Sequence, residues 1–302
     1  MTVLAHSGSP PAPDQLWGTW TLEPAVVAGL AVLAIGYARG WAVLRHGGGR
    51  RGRAVAFAGA LVALTVALVS PLDALGQALF SAHMAQHMVL ILVAAPLLVL
   101  GVPGLPLALA LPPGWRRRLA RWRARAVRAA RRASTQPLAA WALHVGVLWG
   151  WHLPGPYQAA LASPAVHALE HASFLGSAWL FWLLVLGAPP RRTVVGGLAT
   201  LYVLVNALPS AALGALLTFA PAPLYPDQGL GAAAWGLDPL LDQQLAGLVM
   251  WVPADLLYVA VAAALFARWL RGLERDSPAR PGALPGVERP AALPAAVPRR
   301  SR

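Results

Sequence analysis

The sequence predicts an all-α integral membrane protein. It is read as a bundle of seven transmembrane helices, with the amino terminus outside and the carboxyl terminus in the cytoplasm. Two observations carry this prediction. First, 58% of the 302 residues are hydrophobic, only 12% are charged, and the mean hydropathy is +0.58. A soluble chain of this length needs far more polar surface, so lipid is the main solvent. Second, the charges are segregated along the chain. All 24 basic residues are Arg, and they fall in alternate connections between apolar stretches, in the carboxyl-terminal region and at Arg39 near the end of the first stretch.

A helix needs roughly 20 mostly apolar residues to cross a bilayer. Seven stretches qualify, at about residues 22–44, 54–72, 82–100, 137–153, 166–187, 194–219 and 240–270. The third has a start that extends back toward Leu75, and the fourth is the shortest. Four Arg lie between the first and second stretches, nine between the third and fourth, and two between the fifth and sixth. The others are Arg39 and the run from Arg268 onward. The alternate connections and the amino-terminal segment hold no basic residue, and carry Asp14, Asp73, Asp227 and Asp238. Basic residues stay on the cytoplasmic side during insertion, which sets the orientation.

The domain reading has three parts. Residues 1–20 form a short extracytoplasmic segment, 21–272 the membrane domain, and 273–302 a disordered cytoplasmic tail rich in Pro, Ala and Arg. No basic run followed by an apolar core and a cleavage site opens the chain, so no cleaved signal peptide is expected. Residues 115–133 interleave Arg with Trp115, Leu119, Trp122 and Val127. They read as a solvated positive-inside loop, or as a helix lying on the inner leaflet lipids. No nucleic-acid motif accompanies the charge of +13. The absence of Cys removes disulfides and thiolate metal ligands. Nothing in the sequence signals an oligomeric state.

Ionisable residues within membrane spans are costly and therefore functional candidates. His83 and His87 lie in HMAQHM at the outer end of the third stretch, and His167 and His171 in VHALEH at the outer end of the fifth. Each pair is spaced i, i+4, which places two imidazoles one turn apart on one helix face. His152, in WGWHLPGPY, ends the fourth stretch at the same level. One such pair is ordinarily a satisfied polar contact. Two pairs and a fifth His at one depth point to a metal or haem site. Met84 and Met88 follow the two His of the third stretch. Thioether with imidazole suits Cu(I), whereas imidazole alone also suits Cu(II), Zn or haem iron.

Glu170, beside His171, reads as an acceptor for an imidazole N–H or as an exposed charge near a helix amino terminus. Asp238 before Pro239 reads as an amino-terminal cap, and Asp242, one turn further on, as facing the His cluster. Deeper in the bundle, His144, Asn206 and Asp255 are at similar depth and are expected to form an inner polar cluster, either glue between helices or a proton path. Trp149, Trp151, Trp179 and Trp182 read as interfacial anchors. Pro96, Pro209 and Pro253 are expected to kink their helices.

Four blocks in this order carry a family likeness: HMAQHMVLILVAAPLLVLG, LHVGVLWGWHLPGPYQAAL, VHALEHASFLGSAWLFW and DQQLAGLVMWVP. They resemble the multi-span CtaG-type cytochrome c oxidase assembly factors of bacteria, over roughly residues 50–270. The resemblance implies a non-enzymatic protein of the bacterial plasma membrane. It would assist assembly of a haem–copper oxidase by delivering copper to it, with oxidase subunits as partners. Carried over by position, His83, His87, His152, His167 and His171 are the family's motif histidines, and Asp242 falls in its DQQ block. The expectation is that His83, His87, His167 and His171 bind one copper ion, with His152 and Met84 or Met88 as auxiliary ligands. The alternatives are a b-type cytochrome with haem on these histidines, a copper or solute transporter, and a metal-free scaffold.

Overall fold

The computed structural model describes residues 11–44, 51–119, 121, 136–187, 192–225 and 231–276. These residues are predominantly helical, with no strand among them. In chain order the helices are α1 (Pro24–Val43), α2 (Arg51–Leu68), α3 (Pro71–Ala78), α4 (Phe80–Met88), α5 (Ala95–Gly101), α6 (Gly104–Ala110), α7 (Pro137–Trp151), α8 (Pro154–Ala162), α9 (Pro164–Leu186), α10 (Gly197–Thr218) and α11 (Pro239–Asp276). A short helical stretch also covers residues 113–119. Proline opens α1, α3, α7, α8 and α9, where its missing N–H would have had no helical partner.

Six helices among the described residues are long and apolar enough to cross a bilayer: Pro24–Val43, Arg51–Ala78, Phe80–Gly101, Pro164–Leu186, Gly197–Thr218 and Pro239–Arg275. The fold is that of a multi-pass membrane protein. The expected fourth span is α7, which has only 15 residues. At about 1.5 Å per residue it is about 22 Å long, short of a hydrocarbon core of about 30 Å. Six spans thus meet the length criterion, where the sequence suggested seven.

The expected third span is subdivided. Leu79 adopts an extended conformation and separates α3 from α4, so the chain turns there before entering the bundle. Residues Val89–Ala94 then form a π-helical turn between α4 and α5. Pro96 accounts for it: it lacks an N–H and its ring crowds the carbonyl four residues back, which favours a locally wider helix. The Trp182 indole donates to the Ile91 carbonyl in this turn at 3.0 Å. Trp182 is buried in the core rather than anchored at an interface, which corrects that expectation.

Side-chain hydrogen bonds and ring contacts tie the helices together at both ends. At one end, Tyr37 on α1 donates to the Gly101 carbonyl at 3.2 Å, and Tyr202 on α10 to the Pro137 carbonyl at 2.9 Å. Arg192 and Arg268 line one surface pocket there. At the other end lie Phe80, Tyr157, His152, Tyr225 and Asp242. α10 and α11 pack closely. A Cβ at Gly247 would stand 2.5 Å from the Gly214 carbonyl oxygen and 2.4 Å from Thr218 Oγ1, so only glycine permits this approach. The aromatic core of Phe174, Phe181, Trp182 and Tyr258 lies beneath the histidine-bearing end. Large apolar side chains on α1, α10 and α11 face outward. The expected tail begins at residue 273, but α11 continues to Asp276. Residues 277–302, and most of 115–133, lie outside the described residues.

Candidate metal centre

The site is built by α4 and α9, packed side by side through the π-helical turn and α5. On α4 the i, i+4 spacing stacks His83 above His87, with ring centroids 4.3 Å apart. On α9 the same spacing places His167 and His171 4.1 Å apart. Across the helices, His83 and His167 are 5.4 Å apart, and His87 and His171 are 5.2 Å apart. Four of the five predicted motif histidines therefore form one compact group.

Glu170 lies at the centre of this group. It is 1% exposed, so the reading of an exposed helix-terminal charge is overturned. One carboxylate oxygen, Oε2, lies 3.8 Å from His83 Nε2, and the other, Oε1, 3.8 Å from His87 Nε2. These separations exceed hydrogen-bond length. His83 Nε2, both ring nitrogens of His87, His171 Nε2 and both Glu170 oxygens are buried without a hydrogen-bond partner. Buried polar atoms are almost always paired, and a buried carboxylate with no cation partner is costly. Such a convergence of unpaired nitrogen and oxygen donors fits a metal cation. Glu170 is thus a direct ligand candidate. The signal for it was present: Glu170 is three residues after His167, on the same helical face.

Three further groups frame the centre. Tyr157 on α8 packs edge-on against His83 at 5.7 Å, and its hydroxyl is buried without a partner. Burial, with the nearby Glu170 carboxylate adding to it, pushes this phenol well above its usual range. Phe80 and Tyr225 close over Tyr157. Burial raises the Tyr225 phenol to about 12, and its hydroxyl donates to the His152 carbonyl at 2.5 Å. A cavity of about 230 Å³ reaches His167 and His171 from the side, lined also by Glu23 and Asp73.

The other predicted residues take different places. Phe174 separates His152 from the four-histidine group, with its ring 4.5 Å from His87 and 6.2 Å from His152. His152 Nδ1 lies 2.6 Å from the Leu148 carbonyl oxygen, which only accepts, so Nδ1 carries the proton. Its Nε2 then presents a lone pair to Met84 Sδ at 3.3 Å. His152 and Met84 thus form a soft nitrogen–sulfur pair beside the main group. Met88 instead lines a small inner cavity with His144, away from the centre.

Asp242 does not face the histidines, contrary to expectation. Its carboxylate accepts from the Phe80 N–H at 2.6 Å, the Ser81 N–H at 3.1 Å and the Ser81 hydroxyl at 2.5 Å. It caps α4 from α11 and so holds the helix that carries His83. Gln243 accepts from the Leu224 N–H at 2.6 Å. Asp238 caps α11 as expected, accepting from the Leu240 N–H at 2.8 Å.

The inner cluster is only partly as predicted. His144 and Asn206 line one cavity, which also takes in Ser210, Ala254 and Tyr258. His144 pairs with Ser177 at 3.1 Å. Asp255 is not in this lining. It is half-buried and accepts from the Trp251 indole at 2.9 Å. Helical geometry explains the miss: Ala254 and Tyr258 share a face, and Asp255 is rotated about 100° from Ala254.

Comparison with known proteins places these residues in a family. The family model of the cytochrome c oxidase caa3 assembly factor, Caa3_CtaG, matches residues 35–272, and the chain belongs to that family. Among curated proteins, uncharacterized proteins of Mycobacterium bovis and Mycobacterium tuberculosis are each 29% identical over 280 residues, covering 87% of this chain and 41% of theirs. An uncharacterized protein of Mycobacterium leprae is 27% identical over 276 residues, with the same coverages. The chain thus spans about two fifths of the length of these relatives. No solved structure matches.

Proposed function

We propose that this member of the cytochrome c oxidase caa3 assembly factor family holds copper between α4 and α9 and passes it to an oxidase subunit. The observation that carries the reading is the buried set of His83, His87, His171 and Glu170 donor atoms lacking hydrogen-bond partners. His167 completes the set at the mouth of the side cavity. Imidazole and carboxylate donors suit Cu(II), and the adjoining His152–Met84 pair suits Cu(I). Copper is cargo in this account, and no substrate is chemically changed. The acidic lining at Glu23 and Asp73 attracts a cation toward His167 and His171. Ring centroids 4.1–6.2 Å apart favour an ion over the plane of a haem.

The membrane arrangement belongs to the same proposal. α7 serves as a short seventh span within the bundle, the Arg-bearing end faces the cytoplasm, and the centre opens toward the outside of the bacterial plasma membrane. The test is complementation of cells lacking this protein. With His83, His87, His167 and His171 all replaced by Ala, the oxidase is expected to lose copper and activity while the variant stays in the membrane. A fully active, copper-replete oxidase refutes copper delivery and supports a metal-free scaffold.

A further inference from the structure

The donor atoms do not converge on one point. They divide into two sets, His83 with His167 and Glu170, and His87 with His171 and Glu170, each with its ligand atoms within 4.8 Å of one another. Glu170 is the shared member, and it offers a different oxygen to each level: Oε2 faces His83 and Oε1 faces His87, both at 3.8 Å. We infer that the centre binds two copper ions, one per level, bridged by the Glu170 carboxylate. This inference rests on the copper-holding reading above and adds the number of ions and the role of Glu170.

The distances fit bridging. Imidazole and carboxylate bonds to a zinc-like first-row ion are about 2.0–2.1 Å. Two such bonds leave their donor atoms 3.8 Å apart when the angle at the ion is roughly 130–145°. A direct His–Glu hydrogen bond would have closed the gap to about 2.7–2.9 Å. The spacing along the helices fits as well. One helical turn rises about 5.4 Å, yet the ring pairs on α4 and α9 have converged to 4.3 and 4.1 Å. Bridged two-metal sites hold their ions about 3.5–4 Å apart, and this convergence brings the two levels toward that range. A single ion at either level would leave a His pair and one carboxylate oxygen of the other level unused. His152 and Met84 lie beyond Phe174 and belong to neither set.

The test is copper stoichiometry of the full chain in detergent, loaded with Cu(II) without reductant and desalted. The expected values are about two copper per chain for the wild type, about one for His83→Ala/His167→Ala, about one for His87→Ala/His171→Ala, and at most one for Glu170→Gln. About one copper in the wild type, abolished by either double variant, overturns the pair but leaves copper holding intact. No copper in the folded wild type overturns both. X-ray absorption of the loaded wild type needs no variant. It is expected to show a copper–copper distance of about 3.5–4 Å, and the absence of that path overturns the bridge.

Discussion

Asp242 offers a quantitative test of how the centre is held in place. Its carboxylate is fully buried and accepts three hydrogen bonds, two from backbone N–H groups that open α4. In Asp242→Ala, the Phe80 N–H loses its partner in a buried environment and the Ser81 N–H in a half-buried one. Each orphaned group costs about 1–3 kcal/mol, and relief from carboxylate desolvation offsets part of the total. The net expected loss is about 2–4 kcal/mol. Asp238→Ala is the matched control, because Asp238 caps α11 in an exposed position. That variant is expected to cost only about 0.5–1 kcal/mol. Unfolding of both variants in mixed micelles, followed by circular dichroism, measures the difference. Loosening the start of α4 also displaces His83, so Asp242→Ala is expected to bind less copper while Asp238→Ala binds as the wild type. Equal stability loss in the two variants would refute the interhelical cap as the anchor of this helix.

Three other outcomes are expected. Glu170→Gln removes a buried carboxylate whose oxygens lack hydrogen-bond partners, so the metal-free variant is expected to unfold later than the metal-free wild type, while its stabilisation by copper shrinks from about 2.7 kcal/mol per bound ion at a hundredfold excess over Kd. Gly247→Ala drives a Cβ into Gly214 and Thr218 and is expected to cost about 1–3 kcal/mol, whereas Gly146→Ala has open space around it and is expected to gain up to about 1 kcal/mol, both read by thermal unfolding. Met84→Leu nearly conserves volume and alters only the pair with His152, so it is expected to cost less than about 1.5 kcal/mol and to leave the number of copper ions bound unchanged.

Much of the architecture was legible because its causes are local. Apolar stretches of sufficient length marked six of the long helices, and the i, i+4 spacing placed two histidines on each of two faces. The distribution of Arg brought those faces to one end, and α4 and α9 do meet there. The break at Leu79 was hidden because an apolar residue in an extended conformation looks like any other within a hydropathy window. The π-helical turn has a local cause in Pro96, but its placement also depends on packing against Trp182. Residues whose roles depend on tertiary neighbours were the least legible. Glu170 was read as second to the histidines, Asp242 as facing them, and Tyr157 was missed. Periodicity states which face a side chain occupies and leaves open which neighbour it meets. Asp255 shows the same limit, since similar depth along a helix did not imply a shared face.

The most direct test of the central claim is the copper and haem content of the purified wild type beside a folded variant with His83, His87, His167 and His171 replaced by Ala. Copper in the wild type, none in the variant and no Soret band in either is the predicted result. Equal copper in both, or a haem spectrum that disappears with these histidines, would contradict a copper-holding centre between α4 and α9.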